Sequence, residues 1–254
     1  MKTEYSLHDT QRSVRVEYHA CLSSTNDRAR ALALDGETEG LLVLAEKQTA
    51  GRGRQGRSFF SPEGSGLYMS LLLRPETLSE PEKITAAAAV ATACAVEEIS
   101  GQSAGIKWVN DIYMRGKKVA GILTEGGFDA QGKAWVVLGI GINLLPPEGG
   151  FPDELASIAA AVFEQGERVQ REPLAAKITE NFFRIYDEAD TAASLKAYRE
   201  RSVLPGNGVY IIKDGETEEA DALGIGDDFS LLVRMPSGET RSLRSGEVRI
   251  RPNF

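Results

Sequence analysis

Short apolar runs bounded by glycine and proline dominate the hydrophobic pattern, with a few longer stretches at helical spacing between them. VRVEYHA (14–20) predicts a strand, and SSTNDRARALAL (23–34) a helix capped by Ser23 or Ser24, with Asp27 in its first turn. GLLVLAEK (40–47) predicts a second strand. GLYMSLLLRP (66–75) predicts a third, whose nearly unbroken apolar character suits a sheet interior. SEPEKITAAAAVATACAVEEIS (79–100) opens on the capping box Ser79 to Glu82 and continues as an alanine-rich helix able to lie close on a sheet. GIKWVNDIYMRGKKVAGILTEGG (105–127) predicts two short strands about a turn at Arg115-Gly116, and AWVVLGIGINLL (134–145) another buried strand. PPEGGFPDE (146–154) is a loop. Helices are expected over DELASIAAAVFEQG (153–166) and over 173–200, the latter with Leu174, Ile178, Phe182, Ile185 and Tyr186 facing a core.

From VLPGNG (203–208) onward the pattern changes to short β-like runs separated by turn residues. These last fifty residues predict a small antiparallel barrel with a boundary near Pro205, dividing the chain into 1–202 and 203–254. The fold class expected is α+β, a central mixed sheet with packed helices followed by a small β-barrel.

Composition narrows the chemistry. No run approaches the roughly 18 apolar residues of a membrane span, and the N-terminus lacks the apolar stretch of a signal peptide. A cytoplasmic, membrane-free protein is expected. Cys21 and Cys94 lie far apart with no CxxC spacing, so both are expected as core fillers. His8 and His19 belong to no zinc-ligand pattern, which disfavours a zinc enzyme and a Ser-His hydrolase. A net charge of −8 disfavours a broad nucleic-acid surface. Against that background Arg52, Arg54 and Arg57 in GRGRQGRSFF (51–60) point to one small anionic group.

Gly51, Gly53 and Gly56 formally match GxGxxG, yet the loop is followed by a strand and no helix start, so the dinucleotide fingerprint fails. No GK[ST] follows, which excludes a P-loop. The stretch is too brief for an RGG-type nucleic-acid segment. Two readings remain: a loop that orders around an anion through arginine forks and glycine freedom, or a solvated basic turn.

AEKQTAGRGRQGR (45–57) resembles the ligand loop of biotin protein ligases. Further blocks stand in that family's order: STN (24–26), KWVND (107–111), KKVAGILTE (117–125), GIGIN (139–143) and SLRSGEV (242–248). The resemblance spans nearly the whole chain. It implies a class II synthetase-like biotin/lipoate ligase fold with an SH3-like terminal barrel acting as lid or docking surface. It also implies ATP-dependent biotinylation of a carrier lysine through biotinyl-5′-AMP. The partner implied is the biotin carboxyl carrier protein of a biotin-dependent carboxylase.

By the same resemblance Ser24, Thr25, Asn26, Gln48, Gly51, Gly53 and Gly121 belong to a biotin site, with Arg52 and Arg54 closing over biotin and the acyl-phosphate. Lys118 would neutralise charge at the reacting carboxylate. Lys107 and Arg57 would serve the phosphates of ATP, Asn110 and Asp111 the nucleotide and its Mg²⁺, Asn143 and Phe59 the adenine, and Arg244 would reach back from the terminal module. Two departures stand out, Val109 where the family commonly has proline and Phe59 where it has tryptophan; Val109 is expected to loosen the turn before Asn110. Trp108 is expected as a structural anchor. The catalytic blocks begin at Ser24, so no N-terminal DNA-binding module and no DNA partner are expected. The family often forms homodimers by strand pairing. A lipoate or octanoate ligase and a non-catalytic biotin-binding module are the competing functions.

Overall fold

In the computed structural model residues 2–6, 12–78, 81–188, 191–213 and 215–251 are described. The elements in chain order are β1 (Lys2–Ser6), β2 (Ser13–His19), α1 (Thr25–Leu34), β3 (Leu41–Ala45), β4 (Gly66–Leu73), α2 (Pro81–Ser100), β5 (Gly105–Lys107), β6 (Asp111–Met114), β7 (Lys117–Phe128) and β8 (Ala134–Asn143). They continue with α3 (Asp153–Ala156), α4 (Arg171–Glu188), α5 (Thr191–Arg201), β9 (Gly208–Lys213), β10 (Glu216–Ile225), β11 (Leu231–Arg234), β12 (Thr240–Leu243) and β13 (Glu247–Ile250).

Eight strands form one sheet in the order β1-β2-β3-β4-β8-β7-β6-β5. It is mixed, because β2 and β3 run parallel across the α1 crossover while the other neighbours pair antiparallel. The continuous apolar runs of β3 and β4 occupy its middle, buried on both faces as their composition demands. On one face lies α2, whose buried alanines Ala86, Ala88, Ala89, Ala91 and Ala93 let it approach closely, with α4 and α5 packed beside it. Among the described residues the other face carries α1 alone of the helices, which presses Ala29, Leu32 and Ala33 onto Leu41, Val43, Leu72 and Val137. The rest of that face is free for a site.

Several expectations are corrected. The terminal module is no barrel: β9 to β13 form an open sheet in the order β12-β11-β10-β9-β13, and its first and last strands do not pair. Closure needs that last ladder. Here the apolar face, including Val209, Ile211, Ala222, Leu231, Val233 and Val248, instead joins the same core cluster as the large sheet. The helix expected over 153–166 is only Asp153–Ala156. Tertiary hydrogen bonds override the alanine propensity beyond it, since Lys118 N–H donates to Ile158 O and Ala160 N–H to Lys118 O, both at 2.9 Å. The helix over 173–200 is two, α4 and α5. Residues 105–127 hold three strands in place of two, and β1 was not foreseen.

The turn at Arg115-Gly116 does join β6 to β7, both residues having positive φ as a tight hairpin requires. Leu174, Ile178 and Phe182 are buried as expected. Cys94 packs against the core, whereas Cys21 is exposed and fills nothing. His8 and Ser79 of the expected capping box lie outside the described residues. No described helix is long and apolar enough to cross a membrane.

Candidate active site

A cleft opens on the α1 face of the large sheet, beyond the helix N-terminus, roofed by residues 52–59 and flanked by Gly246, Glu247 and Val248 of the terminal sheet. Strand register builds its floor. Lys107, Asp111, Gly121, Gly141 and Tyr68 are successive partners across β5, β6, β7, β8 and β4. Two residues along, Leu123, Gly139 and Ser70 form the next row on the same face. Three glycines thus remove side chains from the floor. A Cβ at Gly139 would lie 2.0 Å from Asn26 Oδ1, and one at Gly141 would lie 2.6 Å from the Phe59 ring.

One end of this trough is polar and neutral. Ser24 is the N-cap of α1, its Oγ facing the Asp27 N–H, which leaves Thr25 and Asn26 buried in the first turn. Gln48 Oε1 accepts from the Thr25 N–H at 2.8 Å and from the Thr25 hydroxyl at 3.1 Å. Its Nε2 donates to Ser61 Oγ at 2.9 Å, and Ser61 donates on to Phe59 O at 2.9 Å. On the other side the Ser70 hydroxyl reaches Thr25 Oγ1 at 2.8 Å and Asn26 Oδ1 at 2.7 Å. Asn26 Nδ2 donates to Glu125 Oε2 at 2.8 Å. The result is a connected chain of amides and hydroxyls at the edge of an apolar sheet, the arrangement that a buried polar ligand needs.

The other end is cationic. Between Ile112 and Tyr113 the β6–β7 register shifts, so Val119 is an extra residue on β7. That bulge turns Lys118 onto the face of Gly121 while Val119 enters the core. Lys118 Nζ donates to Asp111 Oδ1 at 2.6 Å. Arg54 donates to Asn110 Oδ1 at 3.1 Å, and Asn110 Nδ2 to Ile122 O at 2.8 Å. Burial holds both Arg54 and Lys107 below their ordinary pKa values, opposed in each case by the charge of Asp111. Two partly desolvated cations beside a single carboxylate favour an incoming polyanion. The stretch before Asn110 is held from behind: Tyr198 OH donates to Val109 O at 3.1 Å, and Trp108 Nε1 to Phe229 O at 2.9 Å.

The roof is folded by its own backbone. Phe59 N–H donates to Gly51 O at 2.8 Å, and Gly53 N–H to Arg57 O at 2.7 Å. Gly51 is needed for packing, since a Cβ there would meet Phe59 O at 2.4 Å. Gln55 and Gly56 both take positive φ at the tip. Arg52 forks between Asp27 Oδ1 at 2.7 Å and Glu125 Oε1 at 2.8 Å. Arg57 pairs with Glu247 of the terminal sheet.

Of the residues singled out from sequence, the fold brings fourteen to the cleft lining: Ser24, Thr25, Asn26, Gln48, Arg52, Gly53, Arg54, Arg57, Phe59, Lys107, Asn110, Asp111, Lys118 and Gly121. Three lie elsewhere. Gly51 sits behind the roof; Asn143 donates to Ala160 O at 3.2 Å; Arg244 is 75% exposed and paired with Asp228 at 3.0 Å. Sequence reasoning passed over Asp27, Ser61, Ser70, Glu125 and Glu247. Ser70 had a signal, a small polar residue inside the largely apolar run GLYMSLLL, and Glu125 closes one of the quoted blocks.

The profile of the biotin/lipoate A/B protein ligase family matches residues 18–143. The chain is 39% identical over 238 residues to the bifunctional ligase/repressor BirA of Bacillus subtilis, covering 92% of this chain and 73% of that one. It is 34% identical over 224 residues to the biotin–[acetyl-CoA-carboxylase] ligase of Paracoccus denitrificans, covering 85% and 92%. Among solved structures it is similar to the biotin protein ligase of Aquifex aeolicus in complex with biotin and ATP, with a TM-score of 0.79, 27% identity, and coverage of 94% and 99%.

Proposed function

The chain belongs to the biotin/lipoate A/B protein ligase family, and from that premise we propose that it joins biotin to ATP and passes the biotinyl group to a lysine of a biotin carboxyl carrier protein. The observation that carries this reading is the trough itself, a neutral hydrogen-bonding chain at one end and desolvated cations at the other. The biotin carboxylate oxygen attacks the α-phosphorus of ATP, pyrophosphate leaves, and an acyl-adenylate forms. The carrier's lysine amine then attacks the acyl carbon and AMP leaves. No covalent enzyme intermediate is required, so the residues act by orientation, charge neutralisation and exclusion of water.

Thr25 and Gln48 offer a hydroxyl, an amide donor and amide acceptors to the ureido ring, with Ser24 and Asn26 shaping the turn that presents them. Lys118 stands at the carboxylate and α-phosphate, while Arg52 and Arg54 close the roof over the acyl-phosphate. Lys107 and Arg57 take the distal phosphates, and Phe59 lies on the glycine floor where a nucleobase would meet it. Asp111, whose second carboxylate oxygen is not the one bonded to Lys118, would hold a magnesium ion that takes one protein carboxylate and otherwise phosphate and water oxygens. A dedicated protein cage does not fit, because no cluster of three or more His, Cys, Asp or Glu side chains exists among the described residues. When bound, such an ion would neutralise phosphate charge. Residues 1–202 supply the chemistry, and 203–254 supply the wall carrying Glu247.

The family also contains lipoate ligases. A fatty acyl tail has no donor or acceptor to offer the Thr25–Gln48–Ser61 chain, whereas a urea can join it with both, which favours a urea. Biotin-dependent exchange of labelled pyrophosphate into ATP tests the first half-reaction without the carrier. Exchange that runs equally well with octanoate, or none at all from folded protein with biotin, would overturn the assignment.

A further inference from the structure

Glu125 lies on the cleft side of the large sheet, just beyond the lining, because β7 alternates Gly121, Leu123 and Glu125 onto that face. Its two carboxylate oxygens serve different parts of the site. Oε1 lies 2.8 Å from Arg52 NH2 in the roof, and Oε2 accepts from Asn26 Nδ2 at 2.8 Å at the neutral end of the trough. Asn26 is committed in turn, its Oδ1 accepting from Ser70 and filling the notch left by Gly139. Asp27 takes the other arm of the Arg52 fork and is itself paired with Arg30 at 3.1 Å. Arg30, Asp27, Arg52 and Glu125 therefore form a neutral quartet. Arg52 uses two of its five N–H donors there, leaving the others for an anion.

We propose that Glu125 is a positioning residue that couples the ring-binding end of the trough to closure of the roof, by fixing the Asn26 amide and the Arg52 guanidinium with one carboxylate. Removing its charge loosens both ends together. A carboxylate offers acceptors on both oxygens, whereas a glutamine must aim an NH₂ at one of two donors. Glu125→Gln thus sets donor against donor at either Asn26 or Arg52 with almost no change in volume. The inference rests on the biotin ligase reading for its kinetic consequences, and on the geometry alone for its effect on the roof.

The test compares the parent with Glu125→Gln and the swap Asn26→Asp/Glu125→Gln, which restores complementary partners with the hydrogen bond reversed. In ligand-free protein, amide hydrogen exchange over residues 51–59 should speed about tenfold in Glu125→Gln, the scale of one lost charge-assisted contact at a half-exposed site. With biotin and MgATP, the biotin KM should rise about tenfold and the adenylate should escape about tenfold faster. The turnover of pyrophosphate exchange at saturating biotin should stay within about threefold. The swap should recover at least half of the roof effect in ligand-free protein on a logarithmic scale. Unchanged exchange in the roof, or turnover falling in step with melting temperature at constant KM, would overturn the proposal, as would a swap that recovers nothing. A parent protein lacking biotin-dependent exchange would count against the proposed function, and the ligand-free measurement would still decide the role of Glu125.

Discussion

Gly139 and Gly141 place two empty steps in a strand whose alternate residues, Ile140 and Ile142, are buried core. Their value lies in what they admit, the Asn26 amide and the Phe59 ring. Gly139→Ala should raise the biotin KM at least tenfold, because Asn26 must give way by more than 1 Å, roughly, to escape a Cβ now 2.0 Å from its oxygen; titration calorimetry with biotin alone would check this. Lys118→Ala should lower pyrophosphate exchange by about 10²–10³ while the calorimetric biotin affinity moves less than about threefold. Equal losses in both would contradict the role assigned to that ammonium. At this scale the motif blocks made most cleft residues legible, since charged and amide side chains in glycine-rich blocks have few other uses. Ser70 and Glu125 stood out in the sequence without disclosing their roles, which depend on neighbours from α1 and the roof. Asn143 and Arg244 stand outside the cleft lining, because a motif names a residue without naming its rotamer.

Among the elements, the β7 bulge at Val119 reverses strand alternation and so delivers Lys118 to the cleft. Period-two reading of KKVAGILTE cannot find such a shift, for the extra residue is visible only against its partner strand. The same limit explains the lost helix after Ala156, where alanines that favour helix are pulled straight by Lys118, Asn143 and Leu144. The long strands and α2 were legible because their burial pattern is intrinsic to one element. Tyr198 on α5 clamps Val109 from behind. Tyr198→Phe should therefore lower stability by about 1 kcal/mol and raise the ATP KM severalfold, with the biotin KM unchanged. Thermal melts and initial rates at varied ATP would measure the two effects, and a biotin KM that rose alongside would remove the clamp's specificity for Asn110.

Taken as a whole, the molecule joins its two sheets through the core, through Trp108 Nε1 to Phe229 O, and through Glu247 at the cleft mouth. Burial alone would raise the Glu247 pKa, but hydrogen bonds from Arg57 and Arg249 overcome it and hold the carboxyl below its ordinary 4.5. A depressed carboxyl stabilises the folded contact above the ordinary value and loses that contribution as pH falls through the folded one. Hydrogen exchange in β13 should accordingly quicken, after correction for intrinsic rates, as pH drops below about 4.5, and Glu247→Gln should flatten that dependence. A wild-type profile already flat would show that the tether carries no weight. The terminal strands were legible one by one from their turns; the open sheet was not, since whether edges meet is decided by what lies against their apolar face. That shared face has a consequence for how the chain comes apart. Heat should melt both sheets in a single cooperative transition, and a cut before Leu204 would yield two sticky halves, neither of them a smaller working protein.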